Sequence, residues 1–198
     1  RFDAHAGERY FFDYSSLSGD NFTLRLFDPS GALVSGPNWF SNDIDVFTAD
    51  QTGSYVLALE GRIYNGSPSH YQFNRQRVLD ASTALTLGNR VDASIEHAGQ
   101  RQAFTFSLSA DTQVVFDSLT NHGSIRWTLA GPNGTLGSAR SFNYSDSAEL
   151  GGATAIALVA GSYTLTVDAD GDITGAFAFR LLDLADAAGN SASAGPFA

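Results

Sequence analysis

Phe22-Thr-Leu-Arg-Leu-Phe-Asp-Pro-Ser-Gly31 is the stretch whose reading decides the fold. Phe22, Leu24 and Leu26 alternate with Thr23 and Arg25, and a period of two with one apolar face describes a half-buried antiparallel strand. Asp28-Pro29-Ser30-Gly31 ends that strand as a turn, with Pro presetting φ and Gly accepting positive φ. The same pattern returns in Ile125-Arg-Trp-Thr-Leu-Ala-Gly-Pro-Asn-Gly134, where Pro132 stands 103 positions after Pro29. Three further blocks follow suit. Gly53-Ser-Tyr-Val-Leu-Ala-Leu59 lines up with Gly161-Ser-Tyr-Thr-Leu-Thr-Val167. Phe2 and Phe12-Asp13 line up with Phe106 and Phe116-Asp117, and Arg77-Val-Leu-Asp80 with Arg180-Leu-Leu-Asp183. A period near 103 residues is too long for a stacked solenoid and describes tandem domains.

Working outward, Asp170-Gly171 between two strand-like runs predicts a tight hairpin, and no stretch of 12 or more residues carries a helical period. The expected fold is all-β: two tandem antiparallel β-sandwich, jelly-roll-like modules. Their bounds are read as 1–83 and 84–187, with 188–198 as a tail of small and polar residues. The alternation places Phe22, Leu24, Leu26, Tyr55 and Leu57 in the first core, and Ile125, Trp127, Leu129, Tyr163 and Leu165 in the second. The second copy opens with Leu85, Leu87, Val91 and Ile95, which have no counterpart in the first. The first module is therefore expected to lack its opening strand or strands. An unfilled sheet position beside Phe2 to Phe12 would invite strand addition, from upstream chain or from a neighbouring subunit. Arg1 in place of Met reads as a processed chain or an excerpt of a longer one.

Composition narrows the function. The chain has 198 residues, 43% of them apolar, with 15 Phe, 7 Tyr and 2 Trp, so it has material for a core. Net charge is −10, all 11 cations are Arg, and 17 of the 21 acids are Asp. Acidic balance without an arginine stripe argues against nucleic acid. No apolar run is long enough for a membrane helix. Without cysteine there are no disulfides, thiolate nucleophiles or thiolate zinc sites. Absent Lys and Cys with an excess of Asp suggest an extracellular bacterial protein.

The blocks resemble the bacterial pre-peptidase C-terminal domain family, whose members run from an aromatic strand through L-x-L-x-D-P-x-G to G-x-Y-x-L-x-V. Leu24 to Gly31 with Gly53 to Leu59, and Trp127 to Gly134 with Gly161 to Val167, carry the resemblance over most of both modules. Gly131 departs from it, standing where the family favours Asp. The resemblance implies a secreted, non-catalytic β-sandwich accessory domain of the kind that flanks secreted proteases and recurs in surface proteins and adhesins.

Candidate sites are few. His5, His70, His97 and His122 lie far apart and form no H-E-x-x-H or H-x-H pattern, and no G-x-S-x-G occurs, so no catalytic residue is assigned. Asp168, Asp170 and Asp172 around Gly171 have the spacing that opens calcium loops, and Asp43 with Asp45 form a lesser acidic pair. Calcium is thus the candidate cofactor, although Asp168 to Asp172 also read as a solvated hairpin turn. Trp39, Phe40, Asn42 and Tyr144 are the candidate ligand-binding residues. An exposed ring stacks on a sugar face while neighbouring amides and carboxylates hold hydroxyls, and sandwich cores also consume aromatics. The expected function is a non-catalytic structural or adhesive repeat segment of a large extracellular bacterial surface protein or filament. The alternative is a glycan- or substrate-binding accessory pair of a secreted hydrolase. Expected partners are neighbouring modules or further copies of the same chain and a glycan or surface ligand, with no nucleic acid and no membrane insertion.

Overall fold

The computed structural model describes residues 1–18, 22–39, 43–61, 63, 68, 70–145 and 155–186, with backbone alone for 14–17. The chain divides into two compact units. One holds Arg1–Leu79 with His97–Gly99, the other Asp80–Glu96 with the chain from Gln100 onward. The sequence boundary at 83/84 thus moves to 79/80, because Ala81–Ala84 pair with Gln102–Thr105 of the second unit.

The first unit contains β1 (Phe2–Ala4), β2 (Arg9–Ser18), β3 (Phe22–Phe27), β4 (Leu33–Trp39), β5 (Ile44–Thr48), β6 (Gly53–Gly61) and β7 (His70–Val78). They form two sheets, in the orders β1-β6-β3-β4 and β5-β2-β7. Phe22, Leu24 and Leu26 point inward as their alternation requires, and with Tyr10, Phe12, Ile44 and Tyr55 they form the core between the sheets. Leu57, expected in this core, is only half-buried.

The second unit contains β8 (Ala81–Ala84), β9 (Arg90–Ile95), β10 (Gln102–Leu108), β11 (Thr112–Ser118), β12 (Ile125–Gly131), β13 (Gly134–Thr135), β14 (Arg140–Ser141), β15 (Ile156–Leu158), β16 (Gly161–Ala169) and β17 (Gly175–Asp183). The sheet orders are β13-β12-β16-β10-β8, with β14 also on β12, and β15-β11-β17-β9. All pairings are antiparallel except β8 with β10, which run parallel. Ile125, Trp127, Leu129, Tyr163 and Leu165 are all buried. Trp127 stacks on Phe116 at 4.2 Å between ring centroids, and Phe116 stacks in turn on Phe179 at 5.1 Å. The indole Nε1 donates to Ser145 Oγ at 2.7 Å, which satisfies the one polar atom of the buried ring. Among the described residues helix is confined to short turns at Phe142–Tyr144 and 184–186, and no helix is long and apolar enough to cross a membrane.

The repeated blocks have a physical reason to travel together. A Cβ on Gly53 would strike the ring of Pro29, and one on Gly161 would strike the ring of Pro132. The Gly of one block is thus the seat for the turn proline of the other. Two residues on, Tyr55 donates its hydroxyl to Gln51 O at 3.0 Å, and Tyr163 donates to Val159 O at 2.8 Å, the same four-residue return in both units. Gly131, the departure from the family pattern, lies against the Tyr163 ring where a Cβ would collide. In the first unit the turn is held by Asp28, whose Oδ1 accepts from Ser30 N, Ser30 Oγ and Ala32 N at 2.7–2.9 Å. These bonds, led by the Ser30 hydroxyl, lower the Asp28 pKa below the ordinary aspartate value.

One sequence equivalence does not survive. Phe12 lies opposite Arg75, whereas Phe116 lies opposite Leu181. With Phe12 matched to Phe116, the inward residues Tyr71, Phe73 and Arg75 of β7 correspond to Phe177, Phe179 and Leu181 of β17. The Arg77 and Arg180 blocks are therefore out of step by three residues. Strand register is set by the partner across the ladder and by the buried face, not by likeness along the chain.

Candidate functional site

The site is built on the two terminal strands at one side of the first unit, β4 and β5. β4 departs from regular pairing. Leu24 faces Asn38, Leu26 faces Ser35 and Phe27 faces Leu33, so the strand carries extra residues and bulges outward twice. Gly36, at φ 105°, sits where a Cβ would run into Leu24 O. The following peptide to Pro37 is cis. Proline, lacking an N–H, suits a terminal strand. Trp39, the last residue of β4 and paired in register with Thr23, is 44% exposed.

Ser35, Pro37, Asn38, Trp39, Asp43, Ile44 and Asp45 line a groove of about 420 Å³. Three candidates from the sequence thus meet in one place: Trp39, Asp43 and Asp45. Asn38 donates from Nδ2 to Ser35 Oγ at 3.2 Å, which fixes its amide beside the indole. Asp45 accepts from Val46 N at 2.7 Å and remains exposed. Asp43 places a carboxylate oxygen within 4.8 Å of one of Asp13 on β2. An exposed indole face beside two carboxylates and an amide can stack on an apolar sugar face and accept from its hydroxyls. Paired carboxylate oxygens are also hard ligands for a divalent cation. Phe40 and Asn42 fall outside the described residues. Sequence reading missed Ser35, Pro37 and Ile44 as lining residues. The Gly36-Pro37 pair interrupting the alternation of β4 was the available signal.

The hairpin acids are arranged differently from the calcium-loop expectation. Asp168 Oδ2 accepts from Arg101 Nε at 3.2 Å, and its Oδ1 accepts from Ala169 N at 2.8 Å. Asp170 receives Arg126 through Nε and Nη2 at 3.0–3.1 Å. Asp172 stays exposed, and among the described residues the three carboxylates do not gather within 4.8 Å of one another. The sequence could not announce this, because Arg126 on β12 and Arg101 just ahead of β10 come alongside β16 only in the folded sheet. Exposed pairs of this kind contribute about 0–1 kcal/mol each. Tyr144 lies in the second unit on the Phe142–Tyr144 turn and is 56% exposed. Of the histidines, His97 accepts from Leu79 N through Nε2 at 3.1 Å, and His122 accepts from Ser124 N through Nδ1 at 3.2 Å.

No family model matches the sequence, and no curated protein matches it. Among solved structures the chain is similar to the pre-peptidase C-terminal domain of collagenase from Bacillus anthracis, with 12% identity and a TM-score of 0.38 over 55% of this chain and 99% of that one. It is also similar to the CUB1-EGF-CUB2 domain of human MASP-1/3, with 9% identity and a TM-score of 0.31 over 90% of each chain.

Proposed function

We propose that this chain is a non-catalytic pair of β-sandwich modules from a large extracellular bacterial surface protein. Its adhesive contact is carbohydrate held in the groove between β4 and β5, and its partners are neighbouring modules of the same long polypeptide. The observation that carries this reading is the exposed indole of Trp39 with Asp43 and Asp45 in one groove. An amphipathic ring beside a few placed polar groups is the make-up of a site that stacks on a ligand and orients it by hydrogen bonds. Calcium is the proposed metal partner, and Asp13 with Asp43 are its proposed ligands in the first unit.

A glycan array probed with the full chain, in calcium and again in EDTA, tests this. At least one glycan class should be retained, and Trp39→Ala should weaken it at least tenfold, about 1.4 kcal/mol. The fold should be undisturbed, because the ring stands on a terminal strand. An empty array, or Trp39→Ala binding like wild type, overturns the carbohydrate reading. Binding equal in calcium and EDTA overturns the metal and leaves both acids to the sugar.

A further inference from the structure

The other side of the first unit, where β1 and β7 are the terminal strands, is distinct from the Trp39 groove and is open in a specific way. Phe2, Phe12, Leu57, Leu59, Tyr71 and Phe73 line a groove of about 510 Å³, together with the charged Arg1, Asp3 and Arg75. The second unit shows the same framework closed. Phe2 and Phe106 occupy one position, each paired across the ladder with the repeat tyrosine, Tyr55 or Tyr163. Leu57 and Leu59 correspond to Leu165 and Val167, counted from the shared Gly-Ser-Tyr. Tyr71 and Phe73 correspond to Phe177 and Phe179 by the cross-strand register. All five second-unit residues are buried, whereas Tyr71 is 50% exposed and Leu57, Leu59 and Phe73 are only partly covered.

The difference lies in β8 and β9, which have no equivalent among the described residues of the first unit. In the second, β9 runs antiparallel along β17, with Val91 facing Phe179 and Ala93 facing Phe177. β8 runs parallel along β10. Leu85 and Ile95 enter the core, and Leu87 and Val91 pack against it. The molecule thus carries its own example of what covers this face.

We propose that the β1–β7 groove is a receptor for a two-strand segment with the chemistry of Asp80–Phe104. One strand adds antiparallel to β7, and the other adds parallel along the lead into β1. The donor is polypeptide joined directly ahead of Arg1, as β8 and β9 are joined ahead of β10. Its apolar residues stand in for Leu85, Leu87, Val91 and Ile95. It also carries an acidic group toward Arg75, because the groove has that cation where the second unit has Leu181. Arg75 now lies over the Phe2 ring at 4.9 Å and the Tyr10 ring at 5.4 Å. Main-chain pairing supplies the affinity in strand addition, and alternate side chains supply the specificity.

The repeat defines the test. Phe2 matches Phe106, so a second copy of Asp80–Phe104 fused ahead of Arg1 in the full chain enters in register. Hydrogen exchange of the β7 amides and the melting of the first unit are read against a control graft with Leu85, Leu87, Val91 and Ile95 of the added copy changed to Ser. The apolar graft should slow β7 exchange at least tenfold and raise the first unit's melting temperature, while the Ser graft leaves both unchanged and the fusion stays monomeric by sedimentation. Unchanged β7 exchange in the apolar graft, or equal protection by the Ser graft, overturns the proposal. A 198-residue chain that already dimerises at micromolar concentration with its β7 amides protected assigns the groove to a second copy and overturns the donor named here.

Discussion

Trp127 is where the second core concentrates most, and its truncation gives the sharpest test of the packing account. The ring is 3% exposed, stacked on Phe116, with Nε1 bonded to Ser145 Oγ. A buried tryptophan removes roughly 150–250 Å² from water. At about 25 cal/mol per Å² that is about 4–6 kcal/mol. Alanine keeps a small part of this and leaves a cavity, so Trp127→Ala should cost about 3–5 kcal/mol. Trp127→Phe keeps a ring against Phe116 and loses the hydrogen bond, which should cost about 1–3 kcal/mol. Against a domain stability of about 5–15 kcal/mol, the alanine variant should approach global unfolding of its unit while the phenylalanine variant stays folded. Urea titration followed by near-ultraviolet circular dichroism measures the difference. Tryptophan emission adds an internal check: with Trp127 gone, the remaining indole is the exposed Trp39, so native emission should shift to the red. A loss below about 1.5 kcal/mol for Trp127→Ala, or unshifted emission, would refute the assigned core and its register.

Two other outcomes follow from the turns. Gly161→Ala should destabilise the second unit by about 1–3 kcal/mol, because its Cβ meets the Pro132 ring. Pro132→Ala in the same chain should recover part of that loss, and additive costs in a double-mutant cycle would show that the two blocks do not touch. Asp28 has a lowered pKa from its Ser30 and Ala32 bonds, so its contribution is present above the ordinary aspartate value of 3.8 and is lost as pH falls through the lower folded-state value. Melting curves between neutral pH and pH 2 should therefore fall less steeply for Asp28→Asn than for wild type. Parallel curves would remove Asp28 from the account.

Much of the architecture is legible in the sequence. Phe22-x-Leu24-x-Leu26 and Ile125-x-Trp127-x-Leu129 are buried as their alternation requires, because a strand's two faces are written in neighbouring residues. The link between the Gly-x-Tyr and Pro-x-Gly blocks was visible as recurrence, and the contacts of Gly53 with Pro29 and of Gly161 with Pro132 supply its cause. The candidate site was half legible. Trp39, Asp43 and Asp45 were singled out from local composition and do share a groove, whereas Ser35 and Ile44 reach it only through the outward bulges of β4 and the approach of β5.

What the sequence by itself determined is therefore whatever depends on residues close along the chain: the all-β class, the tandem repeat, the turns and the inward face of each strand. What only the tertiary structure decided depends on partners far along it. Arg101 and Arg126 reach Asp168 and Asp170 across neighbouring strands. β7 slips three residues from its apparent match in β17, and the β1–β7 side of the first unit stands open where β8 and β9 close the second. Register and edge occupancy are set by which strand lies alongside and what it buries, and that information resides in the pairing of distant segments rather than in any one of them.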